Sequence, residues 1–277
     1  MNADVRRLKI AGFVKKFQGA PRSSQPILSE ALLKTLALRA TELESMIILD
    51  AEIYNVHSIA SFPPQIRNLS LRGCAFKMDF LTPLTRHKCL PQLECIDIGG
   101  CFNTKLYCIP SKDGLFARAN QLKGLGLSHL IRVSCEQLIN IVKRSQCLTR
   151  LDLSASTEEQ VNRDVAEAIA GSCCDLKFLN LNNCPAVTDQ FIKILATHNG
   201  GLQNLAVLNI QSAYLLSDIS LEYLAKMHSL ERVLIGHWAS ITNNGIEKLR
   251  SVRPGLEIVQ QGMEVFDSDY DVCAEFS

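Results

Sequence analysis

Apolar side chains recur along the chain in the spacing L-x-x-L-x-L, relaxed to any aliphatic residue. Clear copies begin at Ile66, Leu93, Leu122, Leu148, Leu176, Leu205 and Leu230, and weaker ones at Val5, Leu43 and Leu256. Successive starts lie 38, 23, 27, 29, 26, 28, 29, 25 and 26 residues apart. The first, fourth and sixth positions of each copy share one face of a short strand, because strand side chains alternate. One such unit cannot bury its apolar face, so neighbouring units must stack. Between the copies, residues 29–36, 134–142, 164–170, 188–196, 217–225 and 242–249 place apolar residues at helical spacing after a polar start. Thr188 and Ser217 are expected N-caps, accepting hydrogen bonds from otherwise free first-turn amides.

A repeat of this length with this apolar signature is a leucine-rich repeat. The expected fold class is α/β: a leucine-rich-repeat solenoid with a curved parallel sheet on its concave face and helices on its convex face. A single domain of about ten units is expected over 1–260, with an insertion-like loop near 17–26 and an acidic tail over 261–277. Pro63 and Pro64 are expected to replace a full helix by a shorter extended connection.

Cys74, Cys101 and Cys184 stand three places beyond the last apolar strand position of their units. There a thiol is expected to turn inward and engage backbone groups in a tight slot. Cys147 and Cys173 precede Leu148 and Leu176 and are also assigned to packing. Eleven cysteines in 277 residues suit reduced, buried thiols better than a disulfide framework.

The chain is 47% hydrophobic with a formal charge of +1, which excludes a wholly disordered chain. Its apolar runs stay short of the roughly 20 residues that a membrane-crossing helix needs, so a cytoplasmic or nuclear location is expected. Residues 1–22 hold six basic residues and one acid, while residues 256–277 hold six acids and no base. Neither end has the basic and aromatic pattern of a nucleic-acid surface. Neither membrane nor nucleic acid is an expected partner.

The six histidines show no metal-ligand spacing, and the acids Asp267, Asp269 and Asp271 lack the glycine turn and terminal glutamate of a calcium loop. Cys173, Cys174, Cys184 and His198 supply a remote zinc alternative. No phosphate loop, nucleophile elbow or HExxH helix occurs in the sequence. The expectation is no enzyme, no cofactor and no metal.

Recognition should instead fall on the strand positions opposite the leucines. The third, fifth and seventh motif positions are expected to form a concave wall that takes a protein substrate or scaffold partner. Arg72, Asp97, Arg150, Asp152, Phe178, Asn180, Asn209, Arg232 and Leu234 are the candidate contacts, with Arg150 and Asp152 expected to stand clear of the core. Trp238 is read two ways, as a rim anchor for a partner or as a plug in a terminal repeat.

The segment CCDLKFLNLNNCPAVTDQFIKILATHNG resembles the cysteine-containing repeats of F-box/LRR proteins, with Cys173, Leu176, Leu179, Leu181, Cys184, Thr188, Asp189, Ile192 and Leu195 at matching positions. RRLKIAGFVKKFQGAP, SFPPQIRNLSLRGCAF and LPQLECIDIG are similar to the opening and Pro-containing repeats of the same family. The resemblance implies substrate recognition for Skp1-cullin-F-box ubiquitin ligation. A non-catalytic adaptor would hold a substrate lysine beside a ubiquitin-loaded conjugating enzyme, raising effective concentration. Residues 1–30 show no F-box, so Skp1 and cullin binding does not follow from the repeats. The alternative reading is a scaffold or competitive inhibitor with no ligase role.

Overall fold

Nearly every motif start is followed, two residues later, by a strand. In the computed structural model, which describes residues 5–11, 28–77, 79–86, 88–101, 119–129, 133–236, 240–260 and 272–273, the chain divides into two compact units. One comprises Met1–Arg118 with Asp271–Ser277, and the other comprises Ala119–Tyr270. The expected loop at 17–26 lies outside the described residues, as does the expected tail apart from Val272 and Cys273.

In the first unit, β1 (Arg7–Ala11), β2 (Ser45–Leu49), β3 (Asn68–Ser70) and β4 (Cys95–Asp97) pair in parallel in chain order. Leu43, Met46, Ile48, Ile66, Leu69 and Leu71 are fully buried beneath them. Helix α1 (Glu30–Arg39) begins at Ser29, whose hydroxyl accepts from the Leu32 amide. Glu30 accepts from the backbone and then the ring of His57, which together hold its carboxyl below the usual range. The later return segments contain 3₁₀ turns at Ile59–Ser61 and Thr82–Thr85. This matches the shorter connection expected at Pro63 and Pro64. Aromatic rings take the space that a helix face would fill: Phe80 stacks on Phe76 at 4.5 Å and meets Phe62 edge-on at 6.2 Å.

The second unit alternates strands and helices regularly. Its strands are β5 (Gly124–Gly126), β6 (Arg150–Asp152), β7 (Phe178–Asn180), β8 (Val207–Ile210), β9 (Arg232–Ile235) and β10 (Glu257–Gln260), again parallel in chain order. Leu151, Leu179 and Leu208 lie in register and are fully buried. The helices are α2 (Cys135–Arg144), α3 (Arg163–Ser172), α4 (Asp189–Thr197), α5 (Asp218–Leu224) and α6 (Asn243–Val252). Each follows a side-chain N-cap: Ser134, Asn162, Thr188, Ser217 and Thr242. Their inward faces, including Leu138, Val142, Val165, Ile169, Ile192, Leu195, Leu224 and Leu249, complete the core.

Hydrogen bonds tie successive helix starts together as well. The Asp189 carboxylate accepts from the Ser217 amide at 2.9 Å and hydroxyl at 2.6 Å, and Asp218 does the same for Thr242 at 2.8 and 2.7 Å. A side chain at position 245 would strike the Asp218 carboxylate, which explains Gly245.

The eighth position of a repeat turns left-handed. Asp50, Gly73, Gly100, His129, Ala155, Asn183 and Ser212 all have φ between 51° and 70°. This turn lets the amide of His129, Ala155 or Asn183 reach the seventh-position carbonyl of the next repeat, that of Ser154, Asn182 or Gln211. At Gly73 the requirement is double, since a Cβ there would also collide with the Asp50 carboxylate.

Candidate binding face

The strand face opposite the leucines carries the third, fifth and seventh motif positions in straight rows. Parallel register sets Arg150 beside Phe178 and Phe178 beside Val207, and aligns Gly126, Asp152, Asn180, Asn209 and Leu234 on successive strands. The predicted row therefore forms, but it does not stand open. Asp97, Asp152, Asn180 and Asn209 are at most 1% exposed, and Leu234 is 2% exposed.

Local hydrogen bonding explains why short polar side chains lie down here. The Oδ1 atom of Asp97 accepts from the Gly99 amide at 2.8 Å, that of Asp152 from Ser154 at 2.9 Å, that of Asn180 from Asn182 at 3.0 Å, and that of Asn209 from Gln211 at 3.1 Å. Each is an Asx turn in which the side chain satisfies the backbone where the strand ends. Parallel strands about 4.8 Å apart then pack these side chains against one another. The fifth position thus closes the strand and supports the chain's departure into the left-handed eighth residue.

The larger candidates are also engaged. The Arg150 guanidinium lies 4.3 Å from the centroid of the Phe178 ring, leaving the two residues 8% and 3% exposed. Arg150 and Asp152 point away from the leucines as expected but are not open to solvent, because ring stacking and the Asx turn hold both against the strand face. In the first unit, Arg72 Nε donates to Asp97 Oδ2 at 3.1 Å, with the arginine side chain still 18% exposed. Arg232 is exposed and pairs with Glu257 at 3.1 Å. Trp238 lies outside the described residues, as do the acids Asp267, Asp269 and Asp271.

The thiols hold the rungs together. Cys74 Sγ donates to the Ile48 carbonyl at 3.3 Å, Cys101 to Leu71 at 3.0 Å, and Cys184 to Leu153 at 3.2 Å. In every case the acceptor is the sixth-position carbonyl of the preceding repeat. Burial pushes Cys74 and Cys184 up to about 12 and Cys101 well above the usual thiol range, so the protonated donor form persists. Cys173 is buried and likewise raised to about 12 by desolvation, but Cys147 is exposed rather than packed. The residue matching Cys173 is Ser145, three places before Leu148, which is fully buried and donates to the Ile141 carbonyl at 2.8 Å.

Among the described residues, no three His, Cys, Asp or Glu side chains converge as metal ligands. Within the remote zinc set, Cys173 points to backbone carbonyls of the preceding repeat while Cys174 is exposed. Two features escaped the sequence reading. Tyr214, Leu215 and Ile219 are 53%, 50% and 56% exposed; they cluster in sequence from the turn after β8 into the first turn of α5, off the apolar strand positions, which was their available signal. The other is the buried pair Val272 and Cys273, for which the repeat spacing offers no signal.

Among the described residues, no helix is long and apolar enough to cross a membrane. No protein-family model matches the chain, and no curated protein matches its sequence. Solved structures do match. A leucine-rich-repeat-containing protein of Legionella pneumophila, LegL7, is similar at 14% identity and a TM-score of 0.53, covering 93% of this chain and 91% of that one. The Leptospira interrogans LRR protein LIC12759 is similar at 16% identity and a TM-score of 0.46, covering 79% of this chain. This chain spans about half, 49%, of the length of that Leptospira protein. The architecture shared with the Legionella protein is the α/β leucine-rich-repeat fold.

Proposed function

We propose that this protein is a non-catalytic protein-interaction module that recognises substrates for Skp1-cullin-F-box-type ubiquitin ligation in the cytoplasm or nucleus. The observation that carries the reading is the repeat subtype: a thiol at the same position in three repeats, each donating to the preceding rung's carbonyl. That cysteine position is the one on which the sequence resembles F-box/LRR proteins. The opening and Pro-containing repeats resemble, more narrowly, those of F-box and leucine-rich-repeat protein 12.

The buried residues of the strand face define its shape, and the accessible ones at its margins make contact. Arg72 in one unit and Ser154, Asn182 and Arg232 in the other retain solvent access. In the first unit Asp97 is buried beside Arg72, and in the second Arg150, Asp152, Phe178, Asn180, Asn209 and Leu234 form a stiff floor. A pre-organised floor lowers the entropy lost when a partner binds.

The test is purification of the full chain from cells with a quantitative inventory of what accompanies it. Skp1, cullin and a substrate that accumulates when the chain is depleted are the expected companions. A stable complex free of all ubiquitin machinery would establish the scaffold reading instead. Ser154→Lys combined with Arg232→Glu should weaken the captured partner about tenfold without changing the melting temperature; undiminished affinity would place the contact elsewhere.

A further inference from the structure

Val272 and Cys273 belong to no repeat, yet both are fully buried in one cluster with Cys95. Cys95 is the first residue of β4 and the third position of its repeat, on the face opposite the leucines and on the same side as Asp97 two places later. Cys273 Sγ also donates to the carbonyl of Leu69 in β3 at 3.5 Å, across 204 residues of sequence. Both residues lie in the first unit, packed against β3 and β4 on the face opposite the leucines.

We infer that the strand face of β3 and β4 is a docking groove for a short segment bearing a small apolar side chain and a thiol donor. Its occupant is this chain's own Val272–Cys273, seated so that any partner approaching Cys95 must displace it. Among the described residues, the groove offers an apolar floor at Cys95 and a strand carbonyl, that of Leu69, which accepts a hydrogen bond. Such a contact has a small apolar area, so it opens at low free energy compared with the leucine core beneath it. This inference stands independently of the ubiquitin reading, since it concerns which surface of the first unit is covered and by what.

The test is site-resolved alkylation of the full chain with N-ethylmaleimide, read by mass spectrometry. In the full chain carrying Val272→Asp and Cys273→Asp, Cys95 should alkylate about tenfold faster, while Cys74 and Cys101 keep their protection. Cys273→Ser, which retains a donor for Leu69, should leave Cys95 protected. A synthetic peptide of residues 265–277 with serine at 273 should restore protection to the double variant and leave the wild-type chain unaffected. Unchanged Cys95 reactivity in the double variant would overturn the inference. So would simultaneous exposure of Cys74 and Cys101, which would make the segment part of the core, or a peptide that fails to protect.

Discussion

The two units solve the same packing problem on the strand side and different ones on the return side. In both, fourth- and sixth-position aliphatic residues are buried, and a cysteine thiol donates to the preceding rung. In the second unit, five capped helices cover the core, and Asp189 and Asp218 link successive helix starts. In the first, described segments after α1 make 3₁₀ turns, with a Phe62, Phe76 and Phe80 cluster filling the space. The strand ladder therefore tolerates quite different coverings, because its hydrogen bonds and apolar register are complete within the rungs. What the covering must supply is apolar volume, by helix face or by aromatic ring.

The most demanding check on that equivalence is a matched pair of truncations. Leu69→Ala in the first unit and Leu179→Ala in the second each empty a fully buried fourth position, and each should cost about 2 to 5 kcal/mol in denaturant unfolding. A large loss at Leu179 with a negligible one at Leu69 would show that aromatic covering leaves the first unit loosely packed.

Alkaline pH tests the shared thiol rungs. Cys74 and Cys184 sit near 12 when folded, above an unfolded thiol at about 8.5. Their contribution is fully present below the unfolded value, and stability falls as pH rises from there towards 12. Each thiol should contribute a slope of about 1.4 kcal/mol per pH unit within that window. Thermal unfolding followed from pH 8 to 11 should show the decline in both units, and Cys184→Ala should lessen its slope in the second alone, where Cys173 still titrates.

Asp218→Ala probes a device found in the second unit. Losing the two bonds to Thr242 should cost about 1 to 2 kcal/mol and should fray α6 first, as seen by hydrogen exchange. The smallest effect concerns the left-handed eighth position, glycine at Gly73 and Gly100 but alanine at Ala155. Ala155→Gly should relieve backbone strain by more than it adds chain entropy, a gain of about 0.5 kcal/mol in chemical denaturation. A loss there would mean that the alanine methyl contributes packing worth more than the strain.

Much of the architecture was legible because period and composition act locally. Ten repeat starts led to ten described strands, and polar starts before apolar helical runs led to capped helices, including Thr188 and Ser217. The inward turn of Cys74, Cys101 and Cys184 followed from their fixed distance past the last strand leucine. The candidate face was legible in position but not in exposure. Alternation states that Asp152 and Asn180 point away from the leucines; it does not state that each folds back onto an amide two residues ahead. Cys147 misled for a similar reason, since a junction cysteine two residues from the inward position reads alike in one dimension.

The amino-acid order by itself determined the repeat, its register, the helix starts and the thiol rungs, because each depends on residues within one repeat length acting through period-two or period-3.6 geometry. Tertiary structure alone decided which polar side chains close onto the backbone, how aromatic rings replace helices, and that Val272 and Cys273 return to Cys95. Those outcomes depend on distances between residues up to 204 positions apart, and no local periodicity encodes such distances.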